Sequence, residues 1–150
     1  MEDYIKKNTL SNVLLLEVQP KSVVNQMFSS ADVALITQTK EVKNIVMPSK
    51  VFGPTSVEKP LIIAAADDCE ISKIVKKYNF GMIITPEEPN GLVAAINRLK
   101  KDRKWAELMG KNGRLFMIKE RKMKKILDQF EESILKNYDA KRLRRQSIKN

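Results

Sequence analysis

The sequence predicts an α/β protein built on a parallel sheet with helices on both faces. Three observations carry that prediction. Short apolar runs alternate with segments of helical periodicity along the chain. Those runs lack the every-second-residue polarity of a strand with one wet face. The clearest of them, Leu61 to Ala66, is wholly apolar, as a strand buried on both sides must be, and is opened by Lys59-Pro60.

Taken in order, Asp3 to Asn8 reads as the end of a helix or a loose terminus. Val13-Leu14-Leu15-Leu16, after Ser11-Asn12, is expected to be a first strand. Pro20 starts a helix whose stripe is Val23, Val24, Met27, Phe28 and Ala31. Asp32 to Thr37 is the second strand, and the polar stretch Gln38 to Met47 is placed at its carboxyl end. Pro48 and Ser49 read as a helix start, because proline pre-sets φ and a serine hydroxyl can accept from an unpaired N–H. Leu61 to Ala65 forms the third strand. Ile71, Ile74, Val75 and Tyr78 give a helix over Glu70 to Asn79, with Asn79 as its stop. Gly81 to Thr85 is the fourth strand, ended by Pro86. Leu92, Ala95, Ile96 and Leu99 mark a helix from about 92 to 101. Another spans about 105–119, where Gly110 and Gly113 either weaken the helix or allow close packing. A last long helix carries Met123, Ile126, Leu127, Phe130, Ile134 and Leu135 on one side. The chain divides into a domain over 1–135 and a basic tail over 136–150. No internal repeat is visible.

At 150 residues, with 43% apolar and 31% charged residues, the chain is sized for one domain with a real core. It contains no histidine, which removes the commonest general base and any His-ligated metal site. Its single cysteine, Cys69, excludes an intrachain disulfide and reads as a small buried residue at a helix start. No metal and no cofactor is expected. No run approaches membrane-spanning length and the first residues lack a signal-peptide core, so the expected location is cytoplasmic, with a peripheral place on the inner face of the membrane as the alternative. The net charge is +10, and from Lys119 onward eleven Lys or Arg face five Asp or Glu. That imbalance reads either as a solvated helical face or as the footprint of an anionic partner such as an anionic membrane surface, a nucleic acid or a phosphorylated substrate. Nucleic acid is the weakest of these, because after Phe130 only Tyr138 is available for stacking on bases.

A helix start carrying Ser49 and Lys50, near the carboxyl end of buried strands, reads either as an ordinary loop–helix–strand connection or as a phosphate or nucleotide site. Thr37 and Gln38, at another strand's end, can line the same crevice. Asp67, Asp68 and Glu70 supply carboxylates where the third strand ends.

Seven segments stand together in order: Asn12-Val-Leu-Leu-Leu, Ala31-Asp32-Val-Ala-Leu, Val46-Met-Pro-Ser-Lys50, Lys59-Pro-Leu-Ile, Glu70-Ile71, Gly81-Met-Ile-Ile and Met109-Gly-Lys-Asn-Gly-Arg114. Over residues 10–135 this series resembles the group 1 glycosyltransferases. More narrowly, it resembles the family 4 retaining enzymes with a Met-Pro-Ser-Lys motif that build cell-surface polysaccharides. The resemblance implies the C-terminal, donor-binding half of a GT-B enzyme. It implies a Rossmann-like sheet of which about four strands are present, with long C-terminal helices. The donor is a nucleotide-diphosphate sugar, which Pro48, Ser49 and Lys50 would hold by its diphosphate, with Thr37, Gln38 and Glu70 in supporting places. No catalytic residue is assigned.

Three departures qualify the resemblance. Many family members carry two glutamates eight positions apart, the second on the ribose hydroxyls; the matching positions here are Ile45 and Gly53. Pro54 falls where the family has an unbroken helix, at a cost of about 3 kcal/mol unless the helix restarts there. The acceptor-binding domain and the first two strands of the donor domain have no counterpart, so a glycosyltransferase fragment inactive alone is expected. The implied sheet order, 3-2-1-4-5-6, makes Val13–Leu16 strand 3 and Val33–Thr37 strand 4, leaving Val33–Thr37 a bare edge. The two strands would then pair directly, or the chain would associate through that edge with itself or with the missing N-terminal half. The alternatives are a non-catalytic interaction module derived from such an enzyme and, behind it, a basic nucleic-acid-binding protein.

Overall fold

The computed structural model describes residues 1–39 and 47–147, with side chains described as far as Tyr138. Its centre is a parallel sheet of three strands in the order β1-β2-β3: β1 Ala34–Thr37, β2 Leu61–Ala64 and β3 Gly81–Ile84. Leu61 stands opposite Ala34 on one side and Gly81 on the other. All four residues of β2 are buried, and the sheet's pleat sends them to two different cores. Leu61 and Ile63 join Val51, Ile71, Val75, Phe80 and Phe116 on one face. Ile62 joins Ala95, Leu99 and Met109 on the other. That two-sided burial is why the strand shows no polar alternation in sequence.

The helices follow from their apolar spacing. α1 (Glu2–Lys7) is a short exposed helix. α2 (Val24–Ser30) starts later than Pro20, after a turn in which the Val23 N–H donates to the Pro20 carbonyl, and it half-buries Val24, Met27 and Phe28. A single 3-10 turn, Ser49–Val51, leads into α3 (Phe52–Ser56). α4 (Glu70–Tyr78) buries Ile71 and Val75 and stops at Asn79, whose φ of 50° is the left-handed cap that asparagine tolerates. α5 (Pro89–Lys101) begins three residues before Leu92, with Pro89 at a first-turn position where its missing N–H costs nothing. α6 (Arg103–Glu120) is capped by Asp102, whose Oδ1 accepts from the Trp105 N–H at 2.9 Å. α7 (Met123–Ser147) is continuous through position 136.

Two expectations are corrected. Val13–Leu16 forms no strand among the described residues; Leu14 and Leu16 are exposed and no ladder partner lies beside them. An apolar run supplies a face, but a strand also needs a neighbour to take its N–H and C=O groups. The sheet therefore has three described strands rather than four, with β1 and β3 at its two edges. Pro54, read as an interruption, is accommodated because the α-helix restarts at Phe52. Pro54 thus sits within a first turn, where an N–H has no intrahelical acceptor. Below it, the buried Thr55 Oγ1 donates to the Val51 carbonyl at 2.6 Å. The glycine pair of α6 serves close packing. Gly110 lies against the Glu58 carbonyl and Gly113 against Thr55 and Phe80, so α6 reaches the backbone between α3 and β2.

Candidate functional site

At the carboxyl end of β1 and along its open edge runs a crevice of about 890 Å³. β1 supplies Thr37, with Gln38 and Thr39 just beyond; the 3-10 turn and its approach supply Met47, Pro48, Ser49 and Lys50; Phe28, Gly53 and Pro54 close the far wall. Five of the six residues selected from sequence, Thr37, Gln38, Pro48, Ser49 and Lys50, are thereby brought to one place. Gln38 is fixed by its backbone N–H, which donates to the Ala64 carbonyl at 2.8 Å as the ladder's last bond. Thr37, Ser49 and Lys50 are exposed to the crevice, while Gln38 and Pro48 are half-buried.

The turn at Pro48 begins as the sequence indicates, but not by a serine cap. Pro48 itself is the capping residue, extended at φ −69° and ψ 103°, its carbonyl accepting from the Val51 N–H at 3.2 Å with no side-chain cap. Ser49 is the first residue inside the turn, so its hydroxyl is left facing the crevice. A lysine, three hydroxyls and an amide side chain around an open turn make a surface suited to an oxygen-rich anionic ligand.

Glu70 is not in this crevice. It is the exposed first residue of α4 and lines a separate groove of about 320 Å³ with Lys73, Lys77, Tyr78, Glu120 and Arg121. In that groove the Lys125 ammonium, 2.6 Å away, holds the Glu120 carboxyl below the usual carboxylate range, helped by the Tyr78 hydroxyl. Arg121 lays its guanidinium over the rings of Phe52 and Phe116, at 5.2 and 5.6 Å. Asp67 pairs with Lys76 across the start of α4. Cys69 is buried, its Sγ 3.2 Å from the Ser72 hydroxyl, which donates to the Ala66 carbonyl. Among the described residues no group of His, Cys, Asp or Glu is placed to hold a metal ion.

Sequence reasoning missed Phe28 and Gly53 as walls of the crevice. The Phe28 ring lies where a side chain at position 53 would stand, and a glycine after a Met-Pro-Ser-Lys motif was the available signal. Ile45, the other position matched to a family glutamate, lies outside the described residues.

No protein-family model matches the chain, and no curated protein sequence matches it. Among solved structures it is similar to a sucrose-phosphate synthase from Thermosynechococcus elongatus, with a TM-score of 0.77 and 21% identity. The match covers 93% of this chain and 34% of that one. The chain thus spans about a third of the length of the structure it matches and shares the fold of the part it covers.

Proposed function

We propose that this chain is the nucleotide-sugar-binding portion of a glycosyltransferase acting on a cell-surface polysaccharide or lipid-linked acceptor, and that it is inactive alone. The observation that carries the reading is the crevice at the carboxyl end of β1, which gathers Thr37, Gln38, Pro48, Ser49 and Lys50. In open parallel sheets, ligands sit outside the carboxyl ends of the strands. The Lys50 ammonium and the Ser49 hydroxyl suit a diphosphate, and Thr37 and Gln38 offer hydrogen bonds to a sugar or ribose.

An NMR titration of the labelled chain with several nucleotide-sugars tests this. Weak binding is expected, with shifts confined to Thr37–Thr39 and Met47–Val51. Lys50→Ala should weaken it by about 1–3 kcal/mol, the value of a charged hydrogen bond. Shifts only beyond Lys119 would remove the assignment.

A second reading, a non-catalytic module derived from such an enzyme, is favoured by one feature. The position matched to the ribose-binding glutamate is Gly53, where the Phe28 ring takes up the room a side chain would need. Nucleotide-sugar turnover by the chain supplied with an acceptor-domain partner would decide against the module.

A further inference from the structure

α7 carries an apolar stripe that nothing in the described structure covers. Met123, Leu127, Phe130, Ile134 and Tyr138 recur at spacings of three and four, so they share one face of the helix. Each is more than half exposed, Phe130 at 65%. The stripe belongs to neither hydrophobic core. The helix is tied to the body near its start, where the Lys125 ammonium donates to Glu120 and to the Lys119 carbonyl. On the side away from the stripe, Lys136 pairs with Glu132 at 2.7 Å, which compensates charge locally. In the sequence beyond Tyr138, five Lys or Arg follow against one Asp.

We propose that α7 lies flat on an anionic lipid surface, its apolar stripe in the acyl boundary and its basic end among the headgroups. No described helix is long and apolar enough to cross a membrane, so the association is in-plane. A helix with one apolar face and a cationic end combines the two attractions that peripheral binding requires. A second copy is a poorer occupant. The junction of α6 and α7 carries Lys119, Arg121, Lys122, Lys124 and Lys125 against Glu120, and the distal end is basic as well, with Asp128, Glu131 and Glu132 between the two. Pairing two such helices over their full length, in either direction, sets one basic end against another, whereas a phosphate-bearing surface neutralises both ends.

Co-sedimentation of the full chain tests this with phosphatidylcholine vesicles, pure or containing about one third phosphatidylglycerol. Retention on the anionic vesicles should exceed retention on the neutral ones and fall as salt rises. Phe130→Glu with Ile134→Glu, both at exposed positions, should reduce it about tenfold or more while the circular dichroism is unchanged. Arg144→Glu with Arg145→Glu should reduce it and flatten the salt dependence. In a Phe130→Trp variant, brominated acyl chains should quench the added fluorescence above that of Trp105. Equal retention on neutral vesicles, or retention without quenching, overturns the proposal. So does a stable dimer in sedimentation velocity that Phe130→Glu dissolves, since the stripe would then cover itself.

Discussion

Position 110 has no room for a side chain, because a methyl group there would overlap the Glu58 carbonyl. Two effects oppose each other in Gly110→Ala. Helix propensity favours alanine by about 1 kcal/mol, while overpacking against backbone costs about 1–3 kcal/mol or more. The clash wins, because a carbonyl cannot swing aside as a flexible side chain can. Chemical denaturation should show Gly110→Ala destabilised by at least about 1 kcal/mol. Gly91→Ala, whose nearest neighbour is Ile84 Cβ at 3.8 Å, should instead gain about 0.5–1 kcal/mol. The sequence showed two glycines inside a helix; only the surrounding backbone decides between weakness and close approach. Cys69, in contrast, was legible as a buried residue because a lone small side chain at a helix start has few other uses. Glu120 gives a pH prediction. Its carboxyl is held low first by Lys125 and then by Tyr78, so its folded pKa lies below its unfolded one. The favourable interaction is complete above the ordinary carboxylate range and is lost as pH falls through the lowered folded value. A carbon-detected NMR titration should find Glu120 titrating low, and Lys125→Met should move it back up.

Among the elements, those defined by local rules were readable. α4 announces itself by Ile71, Ile74, Val75 and Tyr78 and by the asparagine that ends it, and β2 by its unbroken apolar run. α6 follows the same rules at its start, where Asp102→Ala should cost about 1 kcal/mol in a denaturation experiment through loss of the bond to the Trp105 N–H. Elements that depend on something distant were not readable. Val13–Leu16 has the composition of a strand, yet strand formation is decided by a neighbour, and none is present among the described residues. Pro54 looked disruptive because residues 49–56 were counted as one helix. The change from a 3-10 turn to an α-helix at Phe52 resets the count and makes the proline harmless.

For the whole molecule, the parallel class was legible from the two-sided burial of β2, and the carboxyl-end crevice from the motif placed at a strand's end. The crevice's inner wall was not, because Phe28 reaches it through the fold and not through the motif. The open side of β1 is the main consequence of the topology: no strand is paired to it among the described residues, and on the adjoining sheet face Leu35 is 49% exposed. Direct pairing with Val13–Leu16 is absent among the described residues, and association through the edge, with a second copy or with the missing N-terminal half, is the expectation that remains to be tested. Sedimentation velocity should show concentration-dependent assembly that Leu35→Lys suppresses and Phe130→Glu leaves intact. The isolated chain should turn over no nucleotide-sugar, and a folded monomer that did so would refute the fragment reading. The edge also has a signature in amide hydrogen exchange. The Ala34 and Gln38 N–H groups donate inward, to the Pro60 and Ala64 carbonyls, so the strand's two-residue period turns the Leu35 and Thr37 N–H groups outward. Within one short strand, protons that exchange slowly therefore alternate with protons that exchange freely. Whatever comes to lie along β1, the first amides to slow will be those two, and the backbone thus carries its own gauge of occupancy.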